Sequence, residues 1–139
     1  MEIEMTRRES REVAFLLLFE WSFGEEDLQD IIRQAVDGRD VVVDDFALSL
    51  VSRAVDNRLE LDGLITRYSE KWKLNRISKV TLAALRLSFC ELSQFADIPV
   101  GATINEAVEL VKKFSTEDEA AYVNGILGSF VRDQKPEEA

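Results

Sequence analysis

The sequence predicts an all-α fold of about seven helices with no β-sheet. Apolar residues in the stretch 77–96 recur at the i, i+3, i+4 spacing of a helix and cover most of its circumference, as expected of a central core helix. Ser/Thr-x-x-Glu patterns begin at Thr6, Thr103 and Thr116, and each indicates a helix start, because the hydroxyl caps a free amide while the glutamate reaches back. Residues 41–43 are the one run typical of a strand, and no partner strand occurs in the sequence.

The first half of the chain predicts three amphipathic helices. They cover residues 7–23, 25–36 and 44–59. Gly24 ends the first helix, and the acidic run 25–27 complements the dipole at the start of the second. Residues 37–40 are typical of a turn, and residues 41–43 are expected to be an extended lead into the third helix.

The second half predicts four more helices. They cover residues 64–72, 77–96, 104–114 and 117–132. A break containing Pro99 and Gly101 follows the central helix, whose narrow polar strip is expected to hold Lys79, Arg86, Cys90 and Ser93. Gly125 and Gly128 interrupt the last apolar pattern, which predicts close approach of a neighbouring helix. We expect one domain over residues 1–133 and a disordered tail over 134–139.

Charge is distributed unevenly along the chain. The whole sequence has 17 basic and 27 acidic residues, a net charge of −10, which argues against general nucleic-acid binding. Residues 12–62 hold thirteen acidic and four basic residues, whereas residues 67–86 hold six basic residues and one acidic residue. The chain therefore combines an acidic part with a basic part, and Arg7, Arg8 and Arg11 form a second basic patch.

Residue types that support catalysis or metal binding are scarce. There is no histidine and one cysteine, Cys90, which excludes Cys/His nucleophile pairs and zinc-finger spacings. The acidic runs 25–27 and 117–119 lie at predicted helix starts, where the helix dipole explains them. A single thiol fits a reducing cytoplasm, and the acidic N-terminus does not resemble a targeting signal. We therefore expect a cytoplasmic protein that is not an enzyme, without metal, cofactor or membrane span.

Binding is the function that remains. On the first helix, the face of the three arginines continues along the axis as Phe15, Leu18 and Phe19. Guanidinium groups beside aromatic rings favour a surface for single-stranded nucleic acid, where cations meet phosphates and rings stack on bases. The other interpretation is a solvated helix end next to core aromatics.

Several motifs occur in order along the chain. Residues 104–114 read INEAVELVKKF, Glu117-Asp118 follows, and residues 122–125 read YVNG. Leu85-Arg86 and Glu91-Leu92 in the central helix and Asp97-Ile98-Pro99 after it belong to the same pattern. Together with the N-terminal arginines, they make the chain from Arg7 to about Val131 resemble the NusB family of transcription antitermination factors.

The resemblance implies both a fold and a function. The implied fold is all-helical, with two packed three- or four-helix subdomains at about 7–60 and 61–133. Members of the family bind the boxA segment of ribosomal RNA leader transcripts together with a small ribosomal protein, NusE. With other Nus factors they help the RNA polymerase elongation complex pass terminators, and they have no catalytic activity.

The resemblance also implies particular contact residues. The RNA-binding positions are Arg7, Arg8, Arg11, Lys113, Phe114, Asp118 and Tyr122. Phe19 and Tyr68 match aromatic positions of the partner-protein surface. Glu9 removes one charge from the arginine cluster, so RNA affinity without the partner is expected to be modest. Phe19 stands where a tyrosine is familiar, which removes a hydroxyl from that position.

A second function class stays open at this point. A helical protein–protein adaptor could use the acidic first half alone, without RNA. The two classes differ in whether the basic patches bind RNA. Because a homodimer that buries the first helix would use the same aromatics, the sequence does not decide between monomer and homodimer.

Overall fold

The computed structural model describes residues 4–134, which form seven α-helices and one short 3₁₀ helix and contain no strand. The helices are α1 (Arg7–Trp21), α2 (Leu28–Arg39), α3 (Asp45–Asp56), α4 (Arg58–Tyr68), α5 (Lys79–Gln94), α6 (Val100–Phe114) and α7 (Glu117–Gln134). The 3₁₀ helix, Leu74–Arg76, lies between α4 and α5. The all-α prediction is confirmed. The predicted disordered tail lies outside the described residues, except for Gln134, which ends α7.

Helix α5 lies at the centre of the core, as predicted. It contacts α1, α3, α4, α6 and α7, and nine of its sixteen residues are buried, Phe89 and Leu85 among the largest. Its predicted polar strip is wrong at two positions. Cys90 is completely buried, and Arg86 donates two hydrogen bonds, of 2.7 and 2.9 Å, to the half-buried Asp62 of α4. A helix with neighbours on so many sides has little circumference left for a solvated strip.

The other helices pack on α5 or on its neighbours. Helices α2 and α3 pack on α1, and both α1 and α3 reach α5. Helices α6 and α7 pack on each other and on α5, while α4 packs on α5 and α7. No helix within residues 4–134 has the length and apolarity that a bilayer crossing requires.

Local capping accounts for most helix starts. Thr6 and Glu9 form the predicted capping box of α1, with both hydrogen bonds at 3.1 Å. At the predicted start of α7, Thr116 Oγ1 accepts from the Glu119 amide at 3.1 Å, but the Glu119 carboxylate accepts from Ser78, Thr81 and Ser115 instead of reaching back to Thr116. The third predicted box is wrong. Helix α6 begins at Val100, directly after Pro99, so Thr103 lies inside the helix and its hydroxyl is used elsewhere.

Two other predicted starts are shifted. Helix α2 begins at Leu28 because Asp27 caps it through the Asp30 amide. It continues into the predicted turn as far as Arg39, and Asp40, with φ of 54°, is its C-cap. Helix α4 begins at Arg58, which places Asp62 and Gly63 inside the helix instead of before it. The pairing of Asp62 with Arg86 ties this segment to α5, and an exposed glycine costs only about 1 kcal/mol in a helix.

The glycines of α7 are not at a close helix contact. A Cβ added to Gly125 would meet nothing within 4 Å, and one added to Gly128 would meet only the tip of the Arg132 side chain at 3.3 Å. The predicted close approach is therefore wrong for both residues.

Candidate nucleic-acid interface

The first turn of α1 presents two of the three predicted arginines to solvent. Arg8 donates through Nε and Nη2 to the Glu106 carboxylate of α6, each at 2.9 Å, and 66% of its side chain remains exposed. The Arg7 guanidinium lies 3.9 Å from the centre of the Phe46 ring, and no carboxylate of residues 4–134 lies within ion-pair distance of it. Exposed ion pairs are weak, so an incoming phosphate can replace Glu106 as the partner of Arg8.

Arg11 is buried, and its predicted surface position is wrong. Its Nε and Nη2 atoms donate to the Glu91 carboxylate of α5 at 2.5–3.0 Å, and only 7% and 2% of the two side chains are exposed. Thr103 Oγ1 donates to the same carboxylate at 2.9 Å. This network joins α1, α5 and α6 inside the core. Arg11 is therefore a structural residue that holds α1 in place.

An aromatic row runs from the end of α6 along α1. The Phe114 ring stacks on Phe15 at a centroid distance of 5.3 Å, Phe15 lies 6.5 Å from Phe19, and Phe19 meets Phe23 edge to face at 5.1 Å. The predicted surface continuation through Phe15 and Leu18 is wrong, because both are buried in the core. The accessible members are Phe114, which is 36% exposed, and Phe23, which is 51% exposed, with the half-buried Phe19 between them.

Cations and carboxylates alternate between α1 and α6. Lys113 Nζ lies 2.6 Å from Glu12 Oε1 and 5.3 Å from the centre of the Phe114 ring. The hydrogen bond from Arg8 holds the pKa of Glu106 below its usual value, so this carboxylate stays ionised at neutral pH. A shallow pocket of about 210 Å³ separates the two pairs. Phosphate binding at this face therefore requires that Arg8 or Lys113 exchange a carboxylate for the phosphate.

The start of α7 is fixed by Glu119, next to the exposed Asp118. The Glu119 carboxylate accepts from Ser78 Oγ at 2.6 Å, from Thr81 Oγ1 at 2.9 Å and from the Ser115 hydroxyl. Partial burial acts to raise the pKa of Glu119, but the hydrogen bonds from Ser115, Ser78 and Thr81 outweigh it, and the pKa is lowered. The ionised Glu119 thus anchors α7 to the start of α5 and sets the position of Asp118.

Tyr122, one turn further along α7, forms an aromatic pair with Trp72. The two ring centres are 4.5 Å apart, and the Tyr122 hydroxyl is hydrogen-bonded to the Ser69 hydroxyl at the end of α4. Burial raises the pKa of Tyr122, so the phenol is neutral at physiological pH. Tyr122 is half-buried and Trp72 is 39% exposed. The pair offers an aromatic edge next to the basic segment 67–79.

The two residues predicted for the partner-protein surface lie in different clusters. Phe19 belongs to the aromatic row, whereas Tyr68 donates from its hydroxyl to Asp133 at 2.8 Å and packs against Phe130 and Phe89. Among residues 4–134, the two share no aromatic neighbour. A largely apolar groove of about 590 Å³ lies between α4, the 3₁₀ helix and α5, and Tyr68 is not one of its lining residues. It is lined by Thr66, Lys73, Leu74, Asn75 and Leu82.

The residue-level prediction missed three accessible side chains. Phe23 extends the aromatic row beyond α1, Trp72 pairs with Tyr122, and Lys79 Nζ lies 5.0 Å from the Phe23 ring. Phe23 and Trp72 stand next to predicted breaks, at Gly24 and at 73–76, whereas Lys79 lies in the first turn of the predicted central helix. Aromatic and basic residues beside a chain break are a signal for binding, because loops carry exposed functional side chains more often than element interiors do.

Within residues 4–134, no group of three or more Asp, Glu, Cys or His side chains has the arrangement of a metal site. The one thiol, Cys90, is enclosed between α5 and α3, with Sγ 4.0 Å from the Leu50 carbonyl oxygen. Burial raises the pKa of Cys90 to about 12. Since the thiolate is the reactive form, this cysteine is inert in the folded protein.

We expect native Cys90 to resist alkylation by iodoacetamide at pH 8 and to react fully once the chain is unfolded in guanidinium. The reason is its burial, which both blocks access and suppresses the thiolate. Mass spectrometry of samples quenched over time measures both rates. Equal rates in the two states would contradict the buried position.

The helical packing and the accessible cations and aromatic rings within residues 4–134 are those of a helical binding protein. Comparison with known proteins identifies the group within this class. The model of the NusB family matches residues 8–132. The chain therefore belongs to the NusB family.

The similarity to relatives and to solved structures extends over nearly the whole chain. The transcription antitermination protein NusB of Clostridium novyi is 38% identical over 92% of this chain and 99% of its own, and that of Thermoanaerobacter sp. is 40% identical over 96% of both. The structure of T. maritima NusB is 36% identical with a TM-score of 0.83, covering 96% of both chains. A structure of NusB and NusE in complex with dsRNA is 29% identical with a TM-score of 0.79, covering 91% of this chain and 96% of that one. The NusB family is non-catalytic, so the chain is not an enzyme.

Proposed function

We propose that the chain is an RNA-binding transcription antitermination factor. It binds the boxA segment of the nascent ribosomal RNA leader together with NusE and modifies elongation by RNA polymerase, with the other Nus factors, in the cytoplasm. One observation carries this proposal for a member of the NusB family: Arg7 and Arg8 stand exposed at the head of α1, on the helix whose aromatic row meets Phe114. Relatives named as transcription antitermination proteins support the same function.

The RNA-contacting set follows from accessibility. Arg7, Arg8 and Lys113 supply the cations, and Phe114 and Tyr122 supply rings on which bases can stack. Asp118 is an exposed carboxylate that can accept a hydrogen bond from a base amino group. Arg11 is omitted, because it is paired with Glu91 inside the core.

NusE is the proposed protein partner, and the related complex of NusB, NusE and dsRNA supports it. The apolar groove between α4 and α5 offers Leu74 and Leu82 to an apolar side chain of the partner. Because the chain has 27 acidic and 17 basic residues, a net charge of −10, a basic partner would lower the electrostatic cost of bringing RNA near. NusE should therefore tighten boxA binding, and boxA should tighten NusE binding by the same factor.

A filter-binding titration tests the proposal. The full chain is titrated against boxA RNA and against a scrambled RNA of the same length, with and without NusE. We expect boxA to bind in preference to the scrambled RNA, and more tightly when NusE is present. Binding of NusE without any boxA preference would instead establish the adaptor function that does not involve RNA.

A further inference from the structure

A groove separates α2 from α3, away from the residues discussed so far. Both helices pack on α1 and have few direct contacts with each other, which leaves a groove of about 480 Å³ between them. Leu28 and Ile32 of α2 and Leu48 and Val55 of α3 line it, with Asp27 and Asp56 at one end. None of the proposed RNA or NusE contacts is among its lining residues.

Several aliphatic side chains that line this groove or lie beside it are partly exposed to solvent. Leu48 is 44% exposed, and Leu28, Ile32 and Val55 are only half-buried. Val36, one turn after Ile32 on the same side of α2, is 42% exposed. Contiguous accessible aliphatic side chains with a polar rim are typical of a protein-binding surface.

The charge around the groove is predominantly negative. Residues 25–56 contain nine acidic and three basic residues, a net charge of −6. Each of the three basic residues is engaged elsewhere: Arg33 pairs with Asp30, Arg39 pairs with Glu20, and Arg53 lies 5.0 Å from the Phe95 ring. No lysine or arginine lines the groove. Its field therefore repels nucleic acid and attracts a cationic ligand.

We propose that the groove between α2 and α3 is a second docking site, which binds a basic amphipathic segment of a protein partner. The apolar side chains of that segment lie on Leu28, Ile32, Leu48 and Val55, and its lysines or arginines meet Asp27 and Asp56. This is the helix-in-groove mode of recognition, with charge complementarity selecting a basic partner. The site would let the protein hold a second protein while α1, α6 and α7 bind RNA.

The test uses the full chain and a synthetic probe. ¹⁵N-labelled protein is titrated with an amphipathic peptide of leucine and lysine in helical spacing, and with the same peptide carrying glutamate for lysine. Oligolysine without leucine is the third probe. We expect saturable shifts confined to amides of α2 and α3 for the leucine–lysine peptide only. Shifts elsewhere, no binding, or equal binding of either control peptide would overturn the proposal.

Two variants with the same change in net charge sharpen the test. Ser52→Lys places a cation within the groove, whereas Ser93→Lys adds one at an exposed position of α5. We expect Ser52→Lys to weaken peptide binding by about tenfold or more and Ser93→Lys to leave it unchanged. Leu48→Ala, which removes an exposed side chain, should also weaken binding and provides a second variant should Ser52→Lys fail to fold.

The outcomes separate this site from the proposed RNA function. BoxA affinity should stay the same in all three variants, because none of them is at the RNA-contacting set. Two results would overturn the proposed docking site, because they would show that net charge alone drives peptide binding. One is unchanged peptide binding in Leu48→Ala, and the other is an equal loss of binding in Ser52→Lys and Ser93→Lys. If the wild-type protein does not bind boxA, only the proposed RNA function is rejected.

Discussion

Replacing Arg11 by alanine is expected to lower the free energy of unfolding by about 3 to 5 kcal/mol. The substitution leaves the Glu91 carboxylate buried with only Thr103 as a side-chain hydrogen-bond donor, and an unpaired buried charge is strongly destabilising. Urea denaturation followed by circular dichroism measures the change. The matched control is Arg8→Ala, which breaks a pair with Glu106 at the surface, where 66% of the arginine and 15% of the glutamate side chain are exposed, and should change stability less.

A second comparison separates the structural role of Arg11 from a role in RNA binding. If Arg11 acts only by neutralising Glu91, the double variant Arg11→Met/Glu91→Leu should recover much of the stability lost in Arg11→Ala, because an apolar pair removes both buried charges. The salt dependence of boxA binding should be the same in this double variant as in the wild type. Equal loss of stability in Arg11→Ala and Arg8→Ala would contradict the buried network.

Tyr122→Ala is expected to weaken boxA binding by about 1 to 3 kcal/mol, the range measured for loss of one aromatic stacking platform. Tyr122→Phe keeps the ring next to Trp72 and loses only the hydrogen bond to Ser69, so its effect on RNA affinity should be small. Fluorescence anisotropy with labelled boxA RNA measures both affinities.

Stability has to be measured on the same proteins, because Tyr122 is half-buried and also packs against Trp72. Thermal melting gives the folded fraction at the temperature of the binding assay. If Tyr122→Ala melts lower but its folded fraction binds boxA as the wild type does, Tyr122 is a packing residue and has no role in RNA binding.

Local rules predicted most of the helical framework. The continuous apolar spacing of α5, the capping box at Thr6 and the cap at Thr116 depend on residues at most a few positions apart, so the sequence displays them directly. The start of α4 was not predicted, because it depends on a contact between residues far apart in the sequence. Asp62 and Gly63 are typical of a turn, and only the contact of Asp62 with Arg86, 24 residues away, shows why the helix continues through them.

The binding face was harder to predict than the fold, because exposure depends on long-range pairing. Arg7, Arg8 and Arg11 look alike in sequence, yet only Arg11 is matched with Glu91, 80 residues away, and buried. Likewise, Phe15 and Phe19 share a predicted face, but Phe15 lies in the core while Phe19 is partly open. The packing of α1 on α5 and α6 decides which of these similar residues is accessible. Helical periodicity alone does not predict that packing.

The salt dependence of boxA binding tests the central claim most directly. Each phosphate contact on a single strand contributes about 0.7 to the log–log slope, so Arg7→Ala/Arg8→Ala should reduce the slope by about 1.4. The control Arg33→Ala/Arg39→Ala removes two other exposed arginines, both from α2, and should leave the slope unchanged. A folded Arg7→Ala/Arg8→Ala variant that binds boxA with the affinity and slope of the wild type would contradict the proposal that the head of α1 contacts RNA.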